Sequence, residues 1–249
     1  MKLFAKKVKS PERDRRGSVT VILAAAGSGT RLGGISKPLI PLSGKSAIEY
    51  SLEIFEDIDD ITRIVISTKE EDIPKYEDIV KRRGFTKVAG IIPGGSSRGE
   101  SVSKAFEFAF GKVITEFVAV HDAARPLITK EDVLGAIRDA KMYGSAVCAS
   151  LCPDTVKRAS DSGFVTESVP RDGLYLIGTP QIFSYDIFCT SLAVAKRDGF
   201  EATDDSSLVE NAGFKIKLHE TSRENIKLTY PGDAAIAEAI LKSRKEHID

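Results

Sequence analysis

Short apolar runs alternate with segments of helical period along most of this chain, and that alternation restricts the fold more than any other feature. Val19–Ala24, Arg63–Ser67, Val88–Ile92, Phe117–His121 and Ser145–Leu151 read as buried strands. Between them, Ser46–Phe55, Glu71–Arg83, Glu100–Phe110 and Lys130–Tyr143 carry apolar residues at helical spacing. Strands separated by helices cannot pair as hairpins. They form a mostly parallel sheet with helices on both faces, an α/β architecture of Rossmann-like type. Ligands of such sheets bind beyond the C-terminal strand ends, so chemistry-bearing residues are expected just after each strand.

The rhythm breaks at Pro153. From Asp154 to Tyr175 there are strand-like pieces, Thr155–Arg158 and Phe164–Val169, around a Ser162–Gly163 turn and without helical period. This predicts a β-hairpin arm, about residues 153–177, inserted into the domain. A lone two-stranded arm is marginal in water, so it is expected to pack on something, with a second copy of the chain as the candidate. The chain resumes with helices at Tyr185–Lys196 and Ser206–Asn211, a strand at Phe214–His219 and a helix from Asp233. Residues 1–18 hold seven basic side chains, among them Lys6, Arg13 and Arg16, and no apolar core of signal length. They are expected to be a mobile tail outside a single domain spanning 19–249.

Composition narrows the function. Thirty-six basic residues balance thirty-six acidic ones, which argues against a nucleic-acid or membrane-surface partner. No apolar stretch is long enough to span a bilayer, and three cysteines make no disulfide framework, so a cytoplasmic location is expected.

The first chemical motif follows the first strand: Leu23-Ala-Ala-Ala-Gly27-Ser-Gly29-Thr-Arg31-Leu-Gly33-Gly34. Small residues and turn-forming glycines let backbone amides approach a phosphate. Leu32 stands where the dinucleotide fingerprint needs glycine, and Ile35 stands where a nucleoside-triphosphatase loop needs lysine after Gly34. What remains is a glycine loop with two cations, Arg31 and Lys37, suited to a reaction in which charge builds on phosphorus.

Leu23–Arg31 with Lys37-Pro38-Leu39 resembles the nucleotidyltransferase superfamily. Further motifs follow in order: Pro93-Gly94-Gly95-Ser-Ser-Arg98-Gly-Glu-Ser101-Val102, Val120–Pro126, Asp154–Arg158, Val169–Leu174, Thr179–Gln181, Thr203–Asp205 and Asn225–Thr229. Together they resemble the 2-C-methyl-D-erythritol 4-phosphate cytidylyltransferase family of the non-mevalonate isoprenoid pathway. The resemblance implies CTP and a polyol phosphate as substrates, Mg²⁺ or another divalent cation as cofactor, and a homodimer formed through the arm. It implies that the amides of Ala25, Ala26, Gly27, Ser28 and Gly29, with Gly94, Gly95 and Ser101, hold CTP. Arg31 and Lys37 would stabilise the pentavalent phosphorus, while Arg171 and Lys227 would align the acceptor phosphate. Arg125, Thr155 and Thr179 would contact the acceptor, and Asp122 would meet its hydroxyls or the metal. Asp204 and Asp205 are expected to cap the helix at Ser206, and His121 to be structural. Two alternatives stand beside this reading: a cytidylyltransferase for another alditol phosphate such as ribitol 5-phosphate, and a CTP-binding module without chemistry.

Overall fold

The computed structural model describes residues 11–27 and 36–246. A short strand β1 (Glu12–Arg13) precedes the apolar β2 (Val19–Ala24). A single 3₁₀ turn, Lys37–Leu39, leads into a small hairpin, β3 (Pro41–Leu42) and β4 (Lys45–Ser46). The alternation then runs α1 (Ala47–Glu56), β5 (Ile61–Thr68), α2 (Ile73–Arg83), β6 (Val88–Pro93) and α3 (Arg98–Phe110). It continues through β7 (Val113–Ile114), β8 (Phe117–Asp122), α4 (Lys130–Tyr143) and β9 (Ser145–Leu151). The arm is β10 (Val156–Ala159) and β11 (Val165–Val169), which pair antiparallel. The chain closes with β12 (Tyr175–Ser184), α5 (Tyr185–Asp198), α6 (Asp205–Asn211), β13 (Lys217–Glu220) and α7 (Asp233–Glu246).

Local chemistry sets the boundaries. At α1, the Ser46 amide donates to Glu49 at 2.7 Å in a reciprocal capping box. Thr129 caps α4 by accepting from the Asp132 amide, and Gly144 ends it with φ +85°, a conformation that glycine adopts without strain. Ser97 caps α3 in the same way, accepting from the Glu100 amide.

Seven strands form the main sheet in the order β13-β9-β12-β8-β2-β5-β6. All pairs are parallel except the two made by β12. Alternate residues of β2 feed two cores. Val19, Val21 and Leu23 pack with Ile48 and Phe55 of α1, Tyr76 of α2 and Ile137 of α4. Ile22 faces the other way, into Val102 and Phe106 of α3, Phe188 of α5 and Val209 of α6. Helices therefore cover both faces, as expected. Strand order reverses beside β2, since β5 and β6 lie on one side and β8 on the other, and a crevice opens at such a switch point.

Three expectations are corrected. Residues 11–18 are part of the fold: β1 pairs with β7, Asp14 accepts from Thr62 Oγ1 at 2.6 Å, and Ser18 is fully buried. Basic composition masked a strand of only two residues. Residues 1–10 lie outside the described part. The arm is shorter than expected, because residues 175–177 already belong to β12, where Tyr175 pairs with Leu151. The strand itself was missed because Gly178 and Pro180 interrupt it; a register shift between Ile177 and Gln181 accommodates both. The strand expected from Phe214 begins only at Lys217.

Truncation to a chain starting at Ser18 should remove the β1–β7 ladder and the Asp14–Thr62 bond. At about 1 kcal/mol per net hydrogen bond, a loss of about 1–3 kcal/mol is expected, read as a lower urea midpoint with an unchanged slope.

Candidate active site

Four strand ends converge at the switch point. The chain leaving β2 stays in register, since the Ala25 amide donates to Ser67 O at 2.7 Å and the Ala123 amide donates to Ala24 O at 3.1 Å. The Gly94 amide donates to Thr68 O at 2.7 Å, which holds the loop after β6 beside it. Between these loops lies a cleft of about 400 Å³. Its walls are Ala24–Gly27, Lys37–Pro38, Gly95–Arg98 with Ser101, Asp122, Ala124 and Lys227.

The glycine loop after β6 is shaped by the first turn of α3. Ser101 Oγ accepts from the Gly95 amide at 2.9 Å and donates to Ser97 O at 2.8 Å. Glu100 accepts from the Ser96 amide at 2.7 Å, and its hydrogen bonds from Ser96, ahead of those from Lys104, pull its carboxyl down to about 2. Gly94 is required by close approach: a β-carbon there would stand 2.6 Å from Ala26 Cβ and 2.8 Å from Ser101 Oγ. The two loops expected to hold a nucleotide therefore touch.

Asp122 ends β8 and is the one acidic side chain lining the cleft among the described residues. Its Oδ1 accepts from Arg98 Nε at 3.1 Å and its Oδ2 from Lys227 Nζ at 2.7 Å. Burial alone would raise its pKa, but Arg98, Lys227 and Arg125 override it and hold the carboxyl well below the usual range. Lys227 is brought here by stitching of its segment to the loop after β8. The Leu228 amide donates to Ala124 O at 2.8 Å, and Asn225 O accepts from Arg125 Nη1 at 2.7 Å.

Behind Asp122 runs a polar chain. The Asp122 amide donates to Thr179 Oγ1 at 3.1 Å, Thr179 Oγ1 lies 3.0 Å from His121 Nδ1, and His121 Nε2 lies 3.2 Å from Arg125 O. A carbonyl only accepts, so Nε2 carries a proton, and in the neutral ring Nδ1 accepts from Thr179. Burial agrees, pushing the His121 pKa down to about 4.

The structure brings together Ala25, Ala26, Gly27, Lys37, Gly95, Ser101, Asp122 and Lys227. Gly94 supports the cleft by loop contact. Ser28, Gly29 and Arg31 lie outside the described residues. Thr179 and Arg125 do not line the cleft as expected. Thr179 is buried against His121, and Arg125 is turned back to Asn225, so both build the wall that carries Asp122. Thr155 and Arg171 are exposed on the arm and do not line the cleft of their own chain; Arg171 Nη1 donates to Pro153 O at 2.9 Å. The Asp204 cap is as expected, with its carboxylate accepting from the Ser207 amide at 2.9 Å. Asp205 has a different partner, Arg98. Sequence reading gave no role to Arg98 or Asn225. The one signal was an arginine at the start of a helix that opens on a glycine loop.

The neutral His121 makes stability pH-dependent. The unfolded chain takes up a proton near pH 6.5 and the folded ring only near 4, so the unfolded state binds more protons between these values. Stability is complete above about pH 6.5 and should fall by roughly 3 kcal/mol as pH drops towards 4, at about 1.4 kcal/mol per pKa unit. A histidine NMR titration should show the His121 ring still neutral at about pH 6, half a unit below its ordinary value.

Comparison with known proteins places the chain. The family model for 2-C-methyl-D-erythritol 4-phosphate cytidylyltransferase (IspD) matches residues 19–243. A protein of that name from Desulforamulus reducens is 36% identical over 231 residues, covering 92% of this chain and 97% of the relative. One from Clostridium botulinum is 35% identical over 224 residues, covering 90% and 97%. Among solved structures, the 4-diphosphocytidyl-2C-methyl-D-erythritol synthase of Anaerococcus prevotii is similar with a TM-score of 0.79 and 26% identity, covering 91% of this chain and 97% of that one. The Thermus thermophilus 2-C-methyl-D-erythritol 4-phosphate cytidylyltransferase gives 0.74 and 27%, covering 90% and 99%.

Proposed function

The chain belongs to the 2-C-methyl-D-erythritol 4-phosphate cytidylyltransferase family, and on that premise we propose how its residues divide the work. The enzyme transfers the cytidylyl group of CTP to 2-C-methyl-D-erythritol 4-phosphate, giving the cytidine diphosphate derivative and pyrophosphate in non-mevalonate isoprenoid precursor synthesis. The observation that carries the division is the cleft itself, where a double glycine loop meets Lys37, Arg98 and Lys227 around one ionised carboxylate.

An oxygen of the acceptor phosphate attacks the α-phosphorus of CTP, and the bond from that phosphorus to the bridging oxygen breaks, releasing pyrophosphate. A phosphate monoester loses its second proton near pH 6, so at neutral pH the nucleophile is already a dianion and needs no general base. The barrier lies in bringing two anions together and in the charge that develops at phosphorus. The Ala25–Gly27 and Gly94–Ser101 loops hold the nucleotide, Lys37 stabilises the reacting phosphorus, a role the sequence assigns to Arg31 as well, and Lys227 with an Arg171 from a second copy aligns the acceptor. Asp122 would meet a divalent cation only by exchanging Lys227 from its Oδ2, with Mg²⁺ filling the rest of its shell with phosphate and water oxygens. When bound, the cation would neutralise charge on the triphosphate. No helix among the described residues is long and apolar enough to cross a membrane, and the three cysteines are unpaired. A cytoplasmic enzyme agrees with both.

Pyrophosphate release with a panel of nucleotides and polyol phosphates tests the reading. CTP with methylerythritol phosphate should far exceed UTP, GTP or ribitol 5-phosphate, and a chelator should stop turnover until Mg²⁺ is restored. Equal use of UTP or of ribitol 5-phosphate would overturn it. Lys37→Ala should lower kcat by about ten- to a thousandfold, the range for removing one electrostatic stabiliser, with a much smaller change in CTP binding.

The arm carries the oligomer proposal. Thr155 and Arg171 sit exposed on it, and Phe164 and Val165 leave apolar surface there. In a two-fold dimer each arm completes the partner's cleft. Mixing inactive Lys37→Ala chains with inactive Arg171→Ala chains should then restore activity, because one of the two composite sites in a mixed dimer carries neither lesion. Proven heterodimers without recovery would exclude the exchange.

A further inference from the structure

Arg98 reaches two carboxylates at once. While Nε donates to Asp122 Oδ1 at 3.1 Å, Nη1 lies 2.7 Å from Asp205 Oδ2. Asp205 is 1% exposed, and neither of its oxygens has a well-aligned hydrogen-bond partner among the described residues. Burial pushes the Asp205 carboxyl up, and the ion pair with Arg98 opposes that only in part. Asp205 cannot drift, because α6 is clamped to the sheet: Gln181 of β12 donates from Nε2 to Asp204 Oδ2 at 2.8 Å and accepts the Ser206 amide at 2.8 Å.

A guanidinium is a rigid planar fork whose preferred partner geometry is two parallel bonds to one carboxylate. Nε and Nη2 together form an edge that could take both oxygens of Asp122, yet with Nη1 tied to Asp205 the fork is turned so that Nε alone bonds, to Oδ1. Oδ2 is left to Lys227, which is 40% exposed on the cleft side. Freed from Asp205, the same edge would be able to turn onto both oxygens of Asp122 and compete with Lys227 for Oδ2.

We propose that Asp205 is a positioning residue: by anchoring Arg98 it confines that cation to one oxygen of Asp122 and keeps the other oxygen and the Lys227 ammonium turned to the acceptor substrate. The inference rests on the reading of Asp122 and Lys227 as acceptor-side groups given above.

Asp205→Asn keeps the shape and removes the charge. It should lower kcat/KM for the acceptor by about ten- to a hundredfold, the cost of a misplacement near 1 Å. CTP binding without acceptor should change much less than that, as the loop backbone is tied by Ser101 and Glu100 rather than by Asp205. In an Arg98→Lys background, where a single ammonium cannot bridge, D205N should add less than about twofold, since the two residues act as one unit. Normal acceptor kinetics in D205N, multiplying losses in the double variant, or equal losses on both substrates with a lowered Tm would each overturn the proposal. Should D205N fail to fold, the Arg98 Nε–H resonance of the wild-type enzyme decides. A resolved, slowly exchanging peak that moves in Asp122→Asn supports the anchored fork, and a peak averaged with those of exposed arginines overturns it. Asp122→Asn with normal acceptor kinetics would overturn the reading of the cleft and this inference together. A disabled D122N beside a normal D205N would overturn this inference alone.

Discussion

A carboxylate held almost out of water at the C-terminal end of a central strand is costly unless cations meet it with good geometry. Asp122 is that group, and its partners come from distant parts of the chain: Arg98 from the start of α3, and Lys227 from the segment before α7. The loops can adopt only arrangements that deliver both cations to one place. The surrounding polar chain through Thr179, His121 and Asn225 is organised to the same end, with the backbone amide of Asp122 and the carbonyl of Arg125 both engaged. Placement of the cleft walls thus follows from satisfying one buried charge.

The charge count of this cluster matches the chemistry. Arg98, Arg125 and Lys227 surround Asp122, burial pushes the Asp205 carboxyl up towards its neutral form, and Lys37 adds a further cation to the cleft wall. A site that must hold a triphosphate beside a phosphate monoester needs an excess of fixed positive charge that costs no rearrangement when the transition state forms. The sheet supplies rigidity, because the glycine loops continue directly from hydrogen-bonded strands and the first turn of α3 ties the second loop through Ser101 and Glu100.

Much of this was legible in the residues. Strand and helix periods placed α4 and β9 to the residue, because their apolar spacing is unbroken and their ends carry Thr129 and Gly144. Where local signals conflict with tertiary pairing, reading failed. β12 holds a glycine and a proline in its middle, and only neighbours on both sides and a register shift make it a strand. Residues 12–14 look like a solvated tail until β7 and Thr62 are near them.

The sequence by itself determined the α/β class, the glycine loops, the arm and the set of charged residues, because period, backbone freedom and residue chemistry are local properties. Only the tertiary structure decided which charges face which. Thr179 and Arg125 are turned inward to support the wall, Arg98 bridges Asp122 and Asp205, and Lys227 meets a carboxylate 105 residues away. An ion pair depends on distance and burial after folding, and neither quantity is a property of any short stretch of chain.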